Sequence, residues 1–191
     1  MRKFTLEDME GFDVIEDVIQ CPSGDYSLIK NFTEECSFAK ECSFAECCSF
    51  AERCSFAKEC SFAKGCSFAD LCSFAKRCSF SEECSFAERC SFAEWCLFAK
   101  GCSFADRCSF ADRCSFADLC SFAEWCSFAN RCSFAKRCSF AKGCLFADRC
   151  SFSGGCSVGG NELKGFKMRS TSGLGIFKRT MYVWDTINGF R

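Results

Sequence analysis

A chain of 191 residues with 49% hydrophobic content and a formal net charge of −1 has the length for one ordinary domain and a composition that excludes global disorder. Its 26 Phe and 23 Cys, with no His and a single Pro, point to an array. A histidine-based catalytic centre and a mixed Cys/His zinc site are excluded by the same composition.

The first segment, residues 1–23, reads as a cap. Arg2 and Lys3 are followed by Glu7, Asp8, Glu10, Asp13, Glu16 and Asp17, which interrupt any apolar signal core, and no later stretch approaches the roughly 18 apolar residues of a membrane span. These features predict a cytoplasmic, reduced protein whose thiols are mostly free, with no membrane partner. Leu6, Met9, Phe12, Ile15 and Ile19 fall at mostly helical spacing, Thr5 is a candidate N-cap, and Asp8 lies three residues on. The spacing predicts an amphipathic helix within Thr5 to Gln20 that covers the first coil of a repeat array. The same helix could instead bind a partner.

Residues 24–160 form the array. Cysteine stands at every sixth position from Cys36 to Cys156, and two residues after each comes Phe, from Phe38 to Phe152, until Val158 takes the last place. Tyr26 and Phe32 share that phase, so a degenerate repeat begins near Gly24. On a helix, six residues turn the chain by about 600° and scatter the Phe side chains over three faces. In a strand, Cys36 and Phe38 share one face while Ser37 takes the other. C-S-F is therefore a short half-buried strand, and the following A-x-x turns the corner. Lys40-Glu41, Glu52-Arg53, Lys64-Gly65 and Asp106-Arg107 place charge and glycine at those bends. Strand and bend at constant interval wind into a solenoid whose coils hydrogen-bond above and below.

Written from the aromatic residue, the word is Phe38-Ala39-Lys40-Glu41-Cys42-Ser43, which resembles the hexapeptide repeat of left-handed parallel β-helices. Phe replaces that family's aliphatic residue, and Cys its small interior one. The resemblance implies an all-β, single-stranded parallel β-solenoid with a triangular coil of three words. About seven coils would stack at roughly 4.8 Å into a rod on the order of 34 Å long. A twelve-residue coil is the rival geometry. Arrays of this Cys-Phe kind also look similar to uncharacterised repeat proteins of bacteria and phages. The hexapeptide acyltransferases use a histidine base, which this chain lacks, so the resemblance implies no enzyme, no catalytic or cofactor-binding residue and no resident cofactor.

Free cysteine suits a cramped interior site beside Phe as a small polarisable hydrophobe. Disulfides between coils and soft-metal binding are the alternatives, although C-x5-C is not zinc-site spacing. Cys21 and Cys47 fall outside the register and are expected to be the exposed thiols. With an 18-residue coil, Trp95 lies between Arg77 and Arg113 in one column, which predicts a cation–π stack. The outward serines form ladders that resemble those of ice-binding solenoids.

Residues 161–191 read as a C-terminal cap or dimerisation segment. Gly175 to Asp185 is β-prone and Asn188-Gly189 is a hairpin signal. Charge divides the ends: residues 1–35 carry three Lys/Arg against nine Asp/Glu, and 161–191 carry six against two. Neither end is the long basic run of a nucleic-acid tail. The expected function is that of a rigid, non-catalytic scaffold, with homo-oligomers forming through the C-terminal segment or the solenoid ends. A thiol-rich soft-metal protein and an ice-binding solenoid are the alternatives.

Overall fold

The computed structural model describes residues 1–159 together with the strands Asn161–Glu162 and Met181–Tyr182. After the three-residue strand Cys36–Phe38, each word contributes a two-residue strand of its serine and phenylalanine, with Leu97 and Leu145 replacing serine in two and Val158 replacing phenylalanine in the last. Ser73-Phe74 pairs in parallel with Ser55-Phe56 below and Ser91-Phe92 above, so one coil is 18 residues and three words. The twelve-residue alternative is thereby ruled out. Three sheets of ten, seven and nine strands form the faces of a triangular prism.

Successive coils place identical rings over one another. Phe98 lies 4.9 Å from Phe80 and 4.8 Å from Phe116, nearly coplanar with both, and meets Phe92 and Phe104 of the other faces edge-on at 5.0 and 5.1 Å. Offset stacking along each column and T-shaped contact across the axis are both favoured arrangements of ring quadrupoles. The strict period results, because one inserted residue would turn every later ring outward.

The corners depend on an unusual backbone. The second residue of each bend has φ near +60°, from Glu41 (61°) through Arg113 (63°) to Arg149 (62°). This region is strained for most side chains and free for glycine, which explains glycine's appearance at Gly65, Gly101 and Gly143. The bend also continues the ladder: the Glu41 N–H donates to the Lys58 carbonyl at 2.9 Å, and the Arg113 N–H to that of Asn130 at 2.9 Å.

The stack holds about eight coils rather than seven, because the solenoid starts upstream of the regular words. Asn31-Phe32 pairs with Ser49-Phe50, Asp25 bridges to Ser43, and Phe4 stacks on Tyr26 at 5.0 Å. The expected helix is confined to one turn, α1 (Leu6–Met9), closed by a capping box between Thr5 and Asp8. Beyond it the chain forms a hairpin, β1 (Val14–Ile15) against β2 (Val18–Cys21), with Glu16 and Asp17 both at positive φ. β-Branched residues on either side of a two-residue turn outweigh the helical spacing. β2 then pairs in parallel with Cys36–Phe38, so the hairpin joins a face of the prism.

At the other end, Asn161–Glu162 returns antiparallel to Ser157–Val158, and Met181–Tyr182 lies antiparallel to Leu145–Phe146. The rest of Gly175 to Asp185, and Asn188-Gly189, lie outside the described residues. Among the described residues no helix is long and apolar enough to cross a membrane.

Candidate functional site

The interior consists of rings and thiols. All 23 cysteines are free, and 22 of them are buried; Cys47 alone is exposed. Cys47 therefore sits where its off-register position led us to expect, but Cys21 does not. Cys21 is 2% exposed because β2 brings it opposite Phe38, at an inward-facing position of the coil.

The ladder cysteines do more than fill space. The Sγ of Cys60 donates to the Ala39 carbonyl at 3.4 Å, that of Cys96 to Ala75 at 3.5 Å, and that of Cys156 to Ala135 at 3.1 Å. The same contact, across 21 residues, recurs in every coil from Cys60 onward, with the Ser81 carbonyl in the alanine's place opposite Cys102. Among the described backbone hydrogen bonds none ends on these alanine carbonyls, since the corner takes them out of the strand ladder. The thiol thus supplies a donor to a part-buried carbonyl that the backbone ladder leaves unpaired. Sequence reasoning read cysteine as a hydrophobe and missed this; the constant A-x-x-C spacing was the available signal.

Burial opposes ionisation of these thiols, while the hydrogen bonds between them act in both directions. Hydrogen bonding with Cys60 and burial push the Cys42 thiol up, and hydrogen bonding with Cys66 and burial do the same at Cys48. Mid-column, hydrogen bonding with Cys114 and Cys78 and burial push Cys96 up, while thiol–thiol bonds of the same kind push Cys78 and Cys114 down, so the column shares its protons unequally. Reactivity and metal ligation both need the thiolate. Among the described residues no group of three or more His, Cys, Asp or Glu side chains is placed to hold a metal ion.

Outside, corner chemistry separates aspartate from glutamate. An Asp at the first bend position accepts the N–H of the equivalent residue one coil up: Asp70 from Glu88 at 2.8 Å, Asp106 from Glu124 at 2.8 Å, and Asp118 from Lys136 at 2.8 Å. The shorter side chain fits the coil spacing. Arg113 lies over the Trp95 ring at 4.7 Å, as the column predicted, whereas Arg77 pairs with Glu59 at 3.3 Å instead. The outward serines are half-buried or exposed, and where they meet they can bond to each other, as Ser133 does to Ser115 at 3.1 Å.

A groove of about 340 Å³ opens at the N-terminal end between α1, the hairpin and the first coil, lined by Leu6, Met9, Phe12, Val14 and Ile19. The fold and these surfaces define the chain as a parallel β-solenoid with three strands per coil and ladders of buried Phe and Cys. No family model matches it, and no curated protein matches it.

Proposed function

We propose that the protein is a rigid, non-catalytic scaffold or spacer of the hexapeptide-repeat, left-handed β-helix kind. The carrying observation is the uninterrupted 18-residue register from Asn31-Phe32 to Ser157-Val158. Among the described residues no bend of the array is enlarged into a loop of the kind that builds binding or catalytic sites, and the ladder thiols are buried within the prism. Free thiols in such number fit a reducing compartment, in keeping with a cytoplasmic setting.

Rigidity is the property to measure. Cys47 and residue 137 share one corner column five coils apart, so labels on Cys47 and on an Arg137→Cys variant should lie about 24 Å apart in a narrow distribution by electron–electron resonance. A broad distribution would remove the basis of the spacer reading.

A further inference from the structure

The two outermost described strands of the ten-stranded sheet lie at opposite ends of the rod, and both run antiparallel to their neighbours: β1 at one end, Met181–Tyr182 at the other. Among the described residues each ends a ladder, and an unpaired edge is a template for another strand. Their flanks carry opposite charge. Asp13, Glu16 and Asp17 surround Val14-Ile15, while Lys178 and Arg179 precede Met181-Tyr182. β1 is also unshielded, since Val14 is 61% and Ile15 60% exposed, beside Leu6 at 65% and the groove beneath it.

We propose that β1 and this groove dock a second copy of the chain through its C-terminal strand Met181–Tyr182, so that molecules join head to tail and the ten-stranded face continues from one rod into the next. Ile19 takes its N–H to the Glu35 carbonyl on the solenoid side. Its partner Val14 is thus a non-hydrogen-bonded pair member that aims its own N–H and C=O away from β2. Strand addition supplies backbone hydrogen bonds along that edge, the groove takes apolar side chains of the incoming chain, and the acidic and basic flanks set direction. A heterologous contact of this sort does not close on itself and builds open filaments. The inference rests on the rigid-rod reading, since only a stiff rod keeps its two edges at opposite ends.

Sedimentation of the full chain tests it, with small-angle scattering on the same samples reporting rod shape. The wild type should form species at multiples of 21.4 kDa that grow with concentration and dissociate at high salt. Asp13→Lys/Glu16→Lys and Lys178→Glu/Arg179→Glu should each remain at one chain's mass, and mixing the two preparations should restore assembly, because each then finds a head or tail of opposite charge. A wild type that stays monomeric at every concentration, assembly indifferent to both reversals, or a mixture that fails to assemble would overturn the proposal. Monomers that still scatter as rods would leave the scaffold reading standing, whereas loss of the rod profile would fell both.

Discussion

Replacing Cys96 distinguishes two roles for the thiol ladder. Its Sγ is fully buried, sits between Cys78 and Cys114 in its column, and donates to the Ala75 carbonyl at 3.5 Å. Cys96→Ala removes one buried heavy atom, which costs about 1 kcal/mol in transfer and cavity. It also leaves the part-buried Ala75 carbonyl with no protein donor, a loss of about 1 kcal/mol, the low end of the range for an acceptor left unpaired. The expected destabilisation is therefore about 2 kcal/mol. Cys96→Ser keeps a donor at the same branch and should lose less than the alanine variant, although it buries a hydroxyl. If cysteine acted only as a small hydrophobe, the order would reverse, since serine would add an unwanted polar group. Urea unfolding under reducing conditions, followed by far-ultraviolet circular dichroism, gives both values. An alanine variant more stable than the serine variant would refute the hydrogen-bonding argument.

Other consequences arise from corners, caps and exposure. Gly143 has φ +73°, and an added Cβ would lie 2.7 Å from the Trp125 ring; Gly143→Ala should lower stability by about 1–2 kcal/mol from the backbone alone, and Trp125→Ala should recover the steric part in a thermal-melt double-mutant cycle. Asp106→Ala leaves the Glu124 N–H without its 2.8 Å acceptor at an exposed corner, where water replaces it, and should cost no more than about 0.5 kcal/mol, with Asp106→Asn closer to wild type. Native, reduced protein should react with a thiol reagent at Cys47 alone and at all 23 cysteines after denaturation; several fast native thiols would contradict the closed core. Asp8 is held below the usual carboxylate range by the Thr5 backbone N–H and hydroxyl and then by Arg2, and Asp25 by Ser27. Depressed values mean that their stabilisation is present above the unfolded carboxylate range, near pH 4, and is lost as pH falls through the folded values. Hydrogen exchange should show the N-terminal cap loosening first on acidification, ahead of the coils.

How much was legible in the sequence depends on how the information is carried. The array is redundant: Cys36 and Phe38 state the same alternation as Cys150 and Phe152, so period alone gives strand, bend and stacking, and Trp95 could be placed against Arg113 by counting. Upstream of Cys36 each signal occurs once and competes with another. Leu6, Met9 and Phe12 read as one face of a helix, yet Val14-Ile15-Glu16-Asp17-Val18-Ile19 is also a hairpin with β-branched flanks. The ladder offered by Cys36–Phe38 favours the hairpin, because β2 satisfies its open edge as a helix cannot. Burial of Cys21 is a result of that tertiary pairing and has no local signature. The carbonyl-directed thiols and the N–H-accepting aspartates were hidden differently. Each depends on which backbone groups the corner withdraws from the ladder, and that accounting can be made only once the bend's positive φ is known.

The same accounting connects stability to the regular exterior. Every coil reproduces its neighbour's hydrogen-bond gaps at the alanine carbonyl and the first bend N–H, so a residue that fills a gap once fills it in every coil. Cysteine meets the inner gap without exception from Cys60 to Cys156, whereas among the described residues the outer one is met by Asp at 70, 106, 112 and 118 and by no other side chain. The difference is one of access: the carbonyl is part-buried against a buried thiol, whereas the N–H lies at an exposed corner. Substituting Asp for Glu124, whose position repeats that of Asp106 one coil up, should therefore add little at a solvated corner, whereas Cys→Ala in any middle coil should cost as much as at Cys96. Equal small effects at both sites in a urea series would mean that water reaches the inner carbonyls and that the prism is not dry.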